Sequence, residues 1–238
     1  DSLETEKRLK ETATTYLRDS FRGMNLLLSK QSGLPIDKGR IVGGKIESLQ
    51  STTSPTNIGM GLLQYVAGRD MKIVTEGEAR NTILKMLKTL TKMERHGSGL
   101  FYAWYETNVK TPFAVNRYVP SIDNANLTTA LKIVAQAYRN DNTAEGKEIY
   151  KIANSMISSQ DYSAIYDRKN GLLVGGITQE GNKEPWHPAG TLGSESRVNN
   201  QVIAAMGKID KLSTLNSNIE IKRYKLSTGE EIPVLALW

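Results

Sequence analysis

Three carboxylates in this chain stand beside aromatic or amide side chains. Glu106 follows Tyr102, Trp104 and Tyr105; Asp123 precedes Asn124 and Asn126; Glu195 follows Ser194, with Trp186 a short way upstream. Cleavage of a glycosidic bond needs two carboxyl groups flanking it. They stand ~6.5–9.5 Å apart when a water fits between them, and ~5–5.5 Å apart when one attacks directly. Rings beside acids suit sugars, whose C–H faces stack while their hydroxyls hydrogen-bond. Alternation along an extended segment puts Tyr102, Trp104 and Glu106 on one face. A Glu195 shielded from water near Trp186 would have the raised pKa of a general acid. Further contacts to a saccharide are expected from Thr56 and Asn57 in the first turn of a helix, and from Asp37 on a loop. Trp186 in the Trp186-His187-Pro188 loop and Arg197 complete the set.

Each of these residues also has a plain structural reading. Asp123 and Glu195 both fall in first turns, where an acid favours the positive end of the helix dipole. Ser54 suits simple capping, and Asp37 a solvated loop. Trp186 suits a loop anchor, Arg197 a surface charge, and Glu106 the exposed side of a strand that buries Trp104.

The elements that must position these groups are mainly helical. Leu9, Ala13, Tyr16, Leu17, Phe21 and Met24 recur at helical spacing and predict a first amphipathic helix. Residues 32–53 read as a loop rich in Gly, Ser and Lys. Ser54-Pro55 opens a second helix, with a capping hydroxyl and Pro at the first helical position. Thr75-Glu76-Gly77-Glu78 is a capping box before a third, carrying Ile83, Met86, Leu87 and Leu90. Segment 100–105 reads as extended. Ser121 and Thr143 start two more helices, and another runs from Ser194 to about Met206. Two hairpins are expected. One joins 163–166 to 172–177 through Asn170-Gly171; the other joins 218–226 to 231–237.

The 238 residues are 39% hydrophobic and 24% charged, which excludes wholesale disorder. No apolar run approaches the ~20 residues of a membrane-spanning helix. The absence of cysteine excludes disulfides, thiolate metal sites and a cysteine nucleophile. Two histidines, His96 and His187, make a multi-histidine metal cage an unsuitable reading, and no cofactor is expected. The net charge of +6 is spread over helices with Glu and Asp interspersed, the pattern of solvated faces rather than of a nucleic-acid surface. No Walker-type phosphate loop, GxSxG elbow or HExxH motif is present. Asp1 opens directly into a polar helix, so any export segment is expected to lie outside this sequence. Trp238 ends an apolar strand-like run, so a continuation or a second chain is expected to complete the domain.

Taken in order, Thr53-Ser54-Pro55-Thr56-Asn57-Ile58-Gly59, Phe101-Tyr102-Ala103-Trp104-Tyr105-Glu106 and Val119-Pro120-Ser121-Ile122-Asp123-Asn124-Ala125-Asn126-Leu127 resemble motifs of one family. These are the TSPTNIG, F-x-N-W-Y-D and V-S-x-V-D-S-G-N-L motifs of the bacterial glycoamylase-like domain. That domain is related to endo-β-1,2-glucanases and to the toroid domain of cyclic β-1,2-glucan synthases. Tyr166-Asp167, Gly175-Gly176 and Leu192-Gly193-Ser194-Glu195-Ser196-Arg197 are similar to its hairpin and its L-x-S-E-A-R helix start. The resemblance runs from about Gly33 to Trp238. It implies a single mainly α domain, an (α/α)6 toroid incomplete in this chain, with small β-hairpins on the side of a carbohydrate cleft. It also implies a bacterial, extracytoplasmic enzyme that cleaves or transfers β-glucan, β-1,2-linkage coming from the resemblance alone. Glu106 stands where the family has Asp, Ala103 where it has Asn, and Asn124-Ala125 where it has Ser-Gly. These departures give the alternative, a non-catalytic glycan-binding or sensing protein using the same cleft.

Overall fold

The protein is described from a computed structural model over residues 2–169, 171–184, 196–209 and 221–235. Glu195, Trp186 and His187 lie outside these residues, as does the side chain of Arg197.

Helices dominate: α1 (Ser2–Leu26), α2 (Pro55–Asp70), α3 (Glu76–Leu90), α4 (Ser121–Ala137), α5 (Ala144–Ser158) and α6 (Ser196–Ala205). Their starts follow local chemistry. Ser54 Oγ accepts from the Asn57 amide at 3.2 Å, with Pro55 in the first turn of α2. The capping box of α3 is complete: Thr75 Oγ1 accepts from Glu78 N at 3.2 Å and Glu78 Oε2 accepts from Thr75 N at 2.8 Å. Donation to its carboxylate from the Thr75 amide first, and then from the Thr75 hydroxyl, holds the Glu78 carboxyl below its ordinary pKa. At α5 the cap is the hydroxyl alone, Thr143 Oγ1 accepting from Gly146 N at 3.0 Å. At α4 the cap expected from Ser121 is absent. Pro120 occupies the cap position without a side-chain bond, and the Ser121 amide donates to Gly175 O at 3.0 Å from another segment.

Small sheets occupy the connections. The stretch 32–53, expected to be a loop, contains the hairpin β1 (Lys38–Val42) and β2 (Lys45–Gln50). Gly43 and Gly44 turn it with φ of 56° and 76°, and both strands are exposed. A three-stranded sheet follows from β3 (Thr52–Thr53), β4 (Trp104–Glu106) and β5 (Phe113–Asn116), in the order β3-β4-β5. β6 (Val119–Pro120) leads into α4. Residues 163–165, expected in a strand, belong to a 3₁₀ turn at Tyr162–Ile165, because Asp161 accepts from Ser163 N at 2.9 Å and caps it. β7 (Tyr166–Asp167) then pairs with β8 (Leu172–Leu173) as a hairpin, and β9 (Gly176–Ile177) pairs back onto β6. The last hairpin is β10 (Ile221–Lys225) with β11 (Glu231–Leu235).

The main core joins α2, α3, α4 and α5 through Ile58, Leu62, Ile83, Leu87, Leu131 and Ile149. A Cβ on Gly59 would stand 3.3 Å from Leu127 Cα and from Ala130 Cβ, so this glycine sets the close approach of α2 to α4. A second cluster of Leu100, Val119, Tyr162, Ile165, Ile177 and Ile203 lies under β6–β9 and α6. α1 forms as expected. Its stripe is largely solvent-facing, with Leu9 65% and Tyr16 69% exposed, and among its described side chains only Phe21 is buried, edge-on to Tyr65 at 5.2 Å. No described helix is long and apolar enough to cross a membrane.

Candidate saccharide site

The start of α2 meets the start of α4, and that juncture gathers much of the polar chemistry. The Thr56 hydroxyl donates to Asp123 Oδ1, and the Asn126 amide donates to Thr56 Oγ1 at 3.0 Å. Thr56, Asp123 and Asn126 are half-buried. The Asp123 carboxylate is therefore held by a relay Asn126 to Thr56 to Asp123, with its helix end behind it. The neighbouring Asn57 turns its amide to Asp37 Oδ1 at 2.9 Å. Asp37 and Asn57 line a small cavity of about 160 Å³ with Pro35 and Met60. Four expected residues plus Asp37's loop thus converge through two adjacent positions, Thr56 and Asn57.

On the other side of α4's first turn, the Tyr118 phenol donates to Glu184 Oε2. Burial first, then the hydrogen bond and charge of Glu184 and the charge of Asp123, push the Tyr118 phenol well above its ordinary pKa. One phenol therefore stands in the field of two carboxylates. Gly175 and Gly176 make the room: a Cβ on Gly175 would lie 2.6 Å from Glu184 Oε2, and one on Gly176 2.5 Å from the Tyr118 hydroxyl. Glu184 was missed in the sequence, where it sits in a plain Asn-Lys-Glu-Pro run. The Gly175-Gly176 pair was the available signal that something large presses on this backbone.

The aromatic segment alternates as expected. Tyr102, Trp104 and Glu106 are half-buried, whereas Phe101, Ala103, Tyr105 and Thr107 are buried. Three of the expected residues, Tyr105, Asn124 and Glu106, are engaged with the fold itself. Tyr105 is fully buried and its hydroxyl donates to Glu94 O while accepting from Tyr102 N, both at 2.8 Å, so it holds the segment and presents nothing to a sugar. Asn124 is likewise fully buried; it accepts from Phe101 N at 2.7 Å and donates to the carbonyls of Phe101 and Pro120, locking the segment to α4. Glu106 accepts from Ser51 Oγ at 2.8 Å and from Asn108 N at 2.7 Å, one bond on each oxygen, which fastens β3 and the following turn to β4. Tyr102 has the Arg117 guanidinium 5.5 Å from its ring centroid, and Arg117 in turn pairs with Glu94 at 2.9 Å. Among the described residues no cluster of His, Asp or Glu has the makings of a metal site.

No family model matches the sequence, and comparison with curated proteins gives no match. Solved structures do match. The chain superposes on an endo-β-1,2-glucanase from Talaromyces funiculosus in complex with sophorose at TM-score 0.71 and 14% identity, over 94% of this chain and 55% of that one. It matches a β-1,2-glucanase from Parabacteroides distasonis at TM-score 0.64 and 16% identity, over 86% and 29%. A third match is an endo-β-1,2-glucanase from Chitinophaga pinensis with sophorotriose and glucose, at 0.62 and 14%, over 71% and 41%. The chain spans about half or less of the length of these proteins. The chain shares its fold with these β-1,2-glucanase structures, in keeping with the motif resemblance.

Proposed function

We propose that this chain forms part of an (α/α)6 toroid that cleaves or transfers β-glucan, β-1,2-linked in the first instance, outside the cytoplasm. The observation that carries the reading is Asp123, a half-buried carboxylate fastened by Thr56 and Asn126 at the junction of two helix starts, in a fold shared with β-1,2-glucanases. A carboxylate fixed in this way keeps one geometry while a sugar arrives, which is the preorganisation that catalysis needs. Asp123 serves as the carboxylate that faces the scissile bond. Glu195, from the motif resemblance, serves as the proton donor to the leaving oxygen. Tyr102 and Trp104 supply ring faces, and Asn57, Asn126, Asp37, Trp186 and Arg197 supply further contacts to the saccharide.

The test is to incubate the protein with a panel of β-glucans of defined linkage and to follow reducing ends and product length. New reducing ends or redistributed chain lengths on the β-1,2-linked polymer are expected. Silence on every polymer, from a protein shown to be folded, overturns the reading.

A further inference from the structure

The Tyr118–Glu184 pair is held on several sides. Glu184 is held at its backbone by donation from its amide to Gly176 O at 2.9 Å, and at its carboxylate by the Tyr118 phenol. The two glycines beneath leave no space for a side chain, so neither partner is held off by bulk from below. Glu184 also forms part of the wall of a cavity of about 590 Å³, together with Tyr166, Asp167, Arg168 and Lys183. Of these, the Lys183 ammonium is engaged with the carbonyl oxygens of Ser163 and Tyr166 at 3.4 and 3.2 Å. The wall thus mixes a tyrosine, cations and carboxylates, which suits a ligand with many hydroxyls that both donate and accept.

We propose that Glu184 is a hydroxyl-binding residue of a saccharide subsite that continues from Asp123 into this cavity, with Tyr118 as its positioning residue. The proposal rests on the saccharide reading above. An ionised carboxylate accepts several hydrogen bonds at once, and bonds to a charged acceptor are about twice as strong as neutral ones. The phenol occupies one lone pair of Oε2, and the others remain for the hydroxyls of a sugar ring. Because burial and the two nearby carboxylates keep the phenol protonated far into the alkaline range, Tyr118 remains a donor to Glu184 at any working pH. A receptor group already held in place loses little freedom on binding, so its contribution goes into affinity.

The test measures the dissociation constant of a β-1,2-linked gluco-oligosaccharide by calorimetry in an Asp123→Asn background, which halts turnover, alongside kcat and KM in the otherwise native chain. Glu184→Gln and Tyr118→Phe are each expected to weaken binding about tenfold or more and to raise KM, with a much smaller change in kcat. Gly175→Ala, which drives a methyl against the Glu184 carboxylate, is expected to do the same. Glu184→Asp, which keeps the charge but withdraws it by one methylene, serves where Gln disturbs folding and is also expected to bind weakly. Unchanged affinity in a folded Glu184 variant overturns the subsite, as does a loss confined to kcat. Absence of saccharide binding in the Asp123→Asn protein and in the unmodified chain alike overturns the parent reading and the subsite together, a result distinguishable from either of the others.

Discussion

At the scale of single residues, the site depends on how carboxylates are held. Asp123→Asn keeps the shape and the hydrogen bond from Thr56 but removes the charge. It is expected to lower kcat by at least about 100-fold with the thermal midpoint little changed, measured on the β-1,2-glucan. Thr56→Val removes the hydroxyl that orients Asp123 and leaves Asn126 without its acceptor. Its expected cost in kcat/KM is about 1.5–3 kcal/mol, or roughly 10- to 150-fold, the range for a hydrogen bond to a charged group. The placement of Thr56, Asn57 and Asp123 at helix starts was legible in the sequence because the neighbouring residues announce each start. Tyr118 and Glu184 were not, since a phenol and a carboxylate 66 residues apart share no local spacing. Tyr105 was assigned to the ligand although the alternation that exposes Trp104 already places the next residue on the buried side. The period of two held the answer, and the attraction of a ring beside an acid overrode it.

At the scale of elements, the legible parts are those whose boundaries are set by side chains close in sequence. The capping box of α3 is such a case, and Thr75→Ala is expected to cost about 1 kcal/mol in a urea titration. The opposite case is Gly61 within α2. An alanine in a helix interior normally gains about 0.5–1 kcal/mol over glycine. Here its methyl would fall 2.4 Å from Pro35 Cγ, on a ring that cannot swing aside. Overpacking of this kind costs about 1–3 kcal/mol, so Gly61→Ala is expected to lower stability despite its better helix propensity, as a fall in the urea midpoint at constant m-value will report. The hairpin β1–β2 escaped notice because its residues alternate weakly and none becomes buried. Its Gly43-Gly44 turn, flanked by Ile41-Val42 and Ile46, was the signal. The first helix was legible as an amphipathic helix, but periodicity reports a stripe and not whether anything lies against it.

At the scale of the whole molecule, three tyrosines unite the two cores with the site. Burial pushes the phenols of Tyr105, Tyr118 and Tyr162 upward from the ordinary value of 10.0. Raised folded-state values mean that the unfolded chain releases these protons first as pH rises. The stabilisation is then complete below about pH 10 and falls progressively above it. Urea midpoints measured between pH 8 and 11.5 are expected to be level up to about 10 and to decline beyond, while Tyr162→Phe is expected to flatten that decline. The predominance of helices was legible because apolar stripes at helical spacing and helix-start residues recur along the sequence. The way β9 closes onto β6 was not, because Val119 and Ile177, which pair there and share one buried cluster, lie far apart in sequence and have no local spacing in common. A last consequence concerns α1. Its 25 residues form a rod about 37 Å long, moored at one end where Phe21 lies in the gap left by Gly68 and Tyr65 donates to Asn25. Fast amide hydrogen exchange is expected along the first four turns, and slow exchange from Phe21 onward. Limited trypsin digestion should therefore trim the chain at Lys7, Arg8 or Lys10 and leave a shortened protein with its urea midpoint intact.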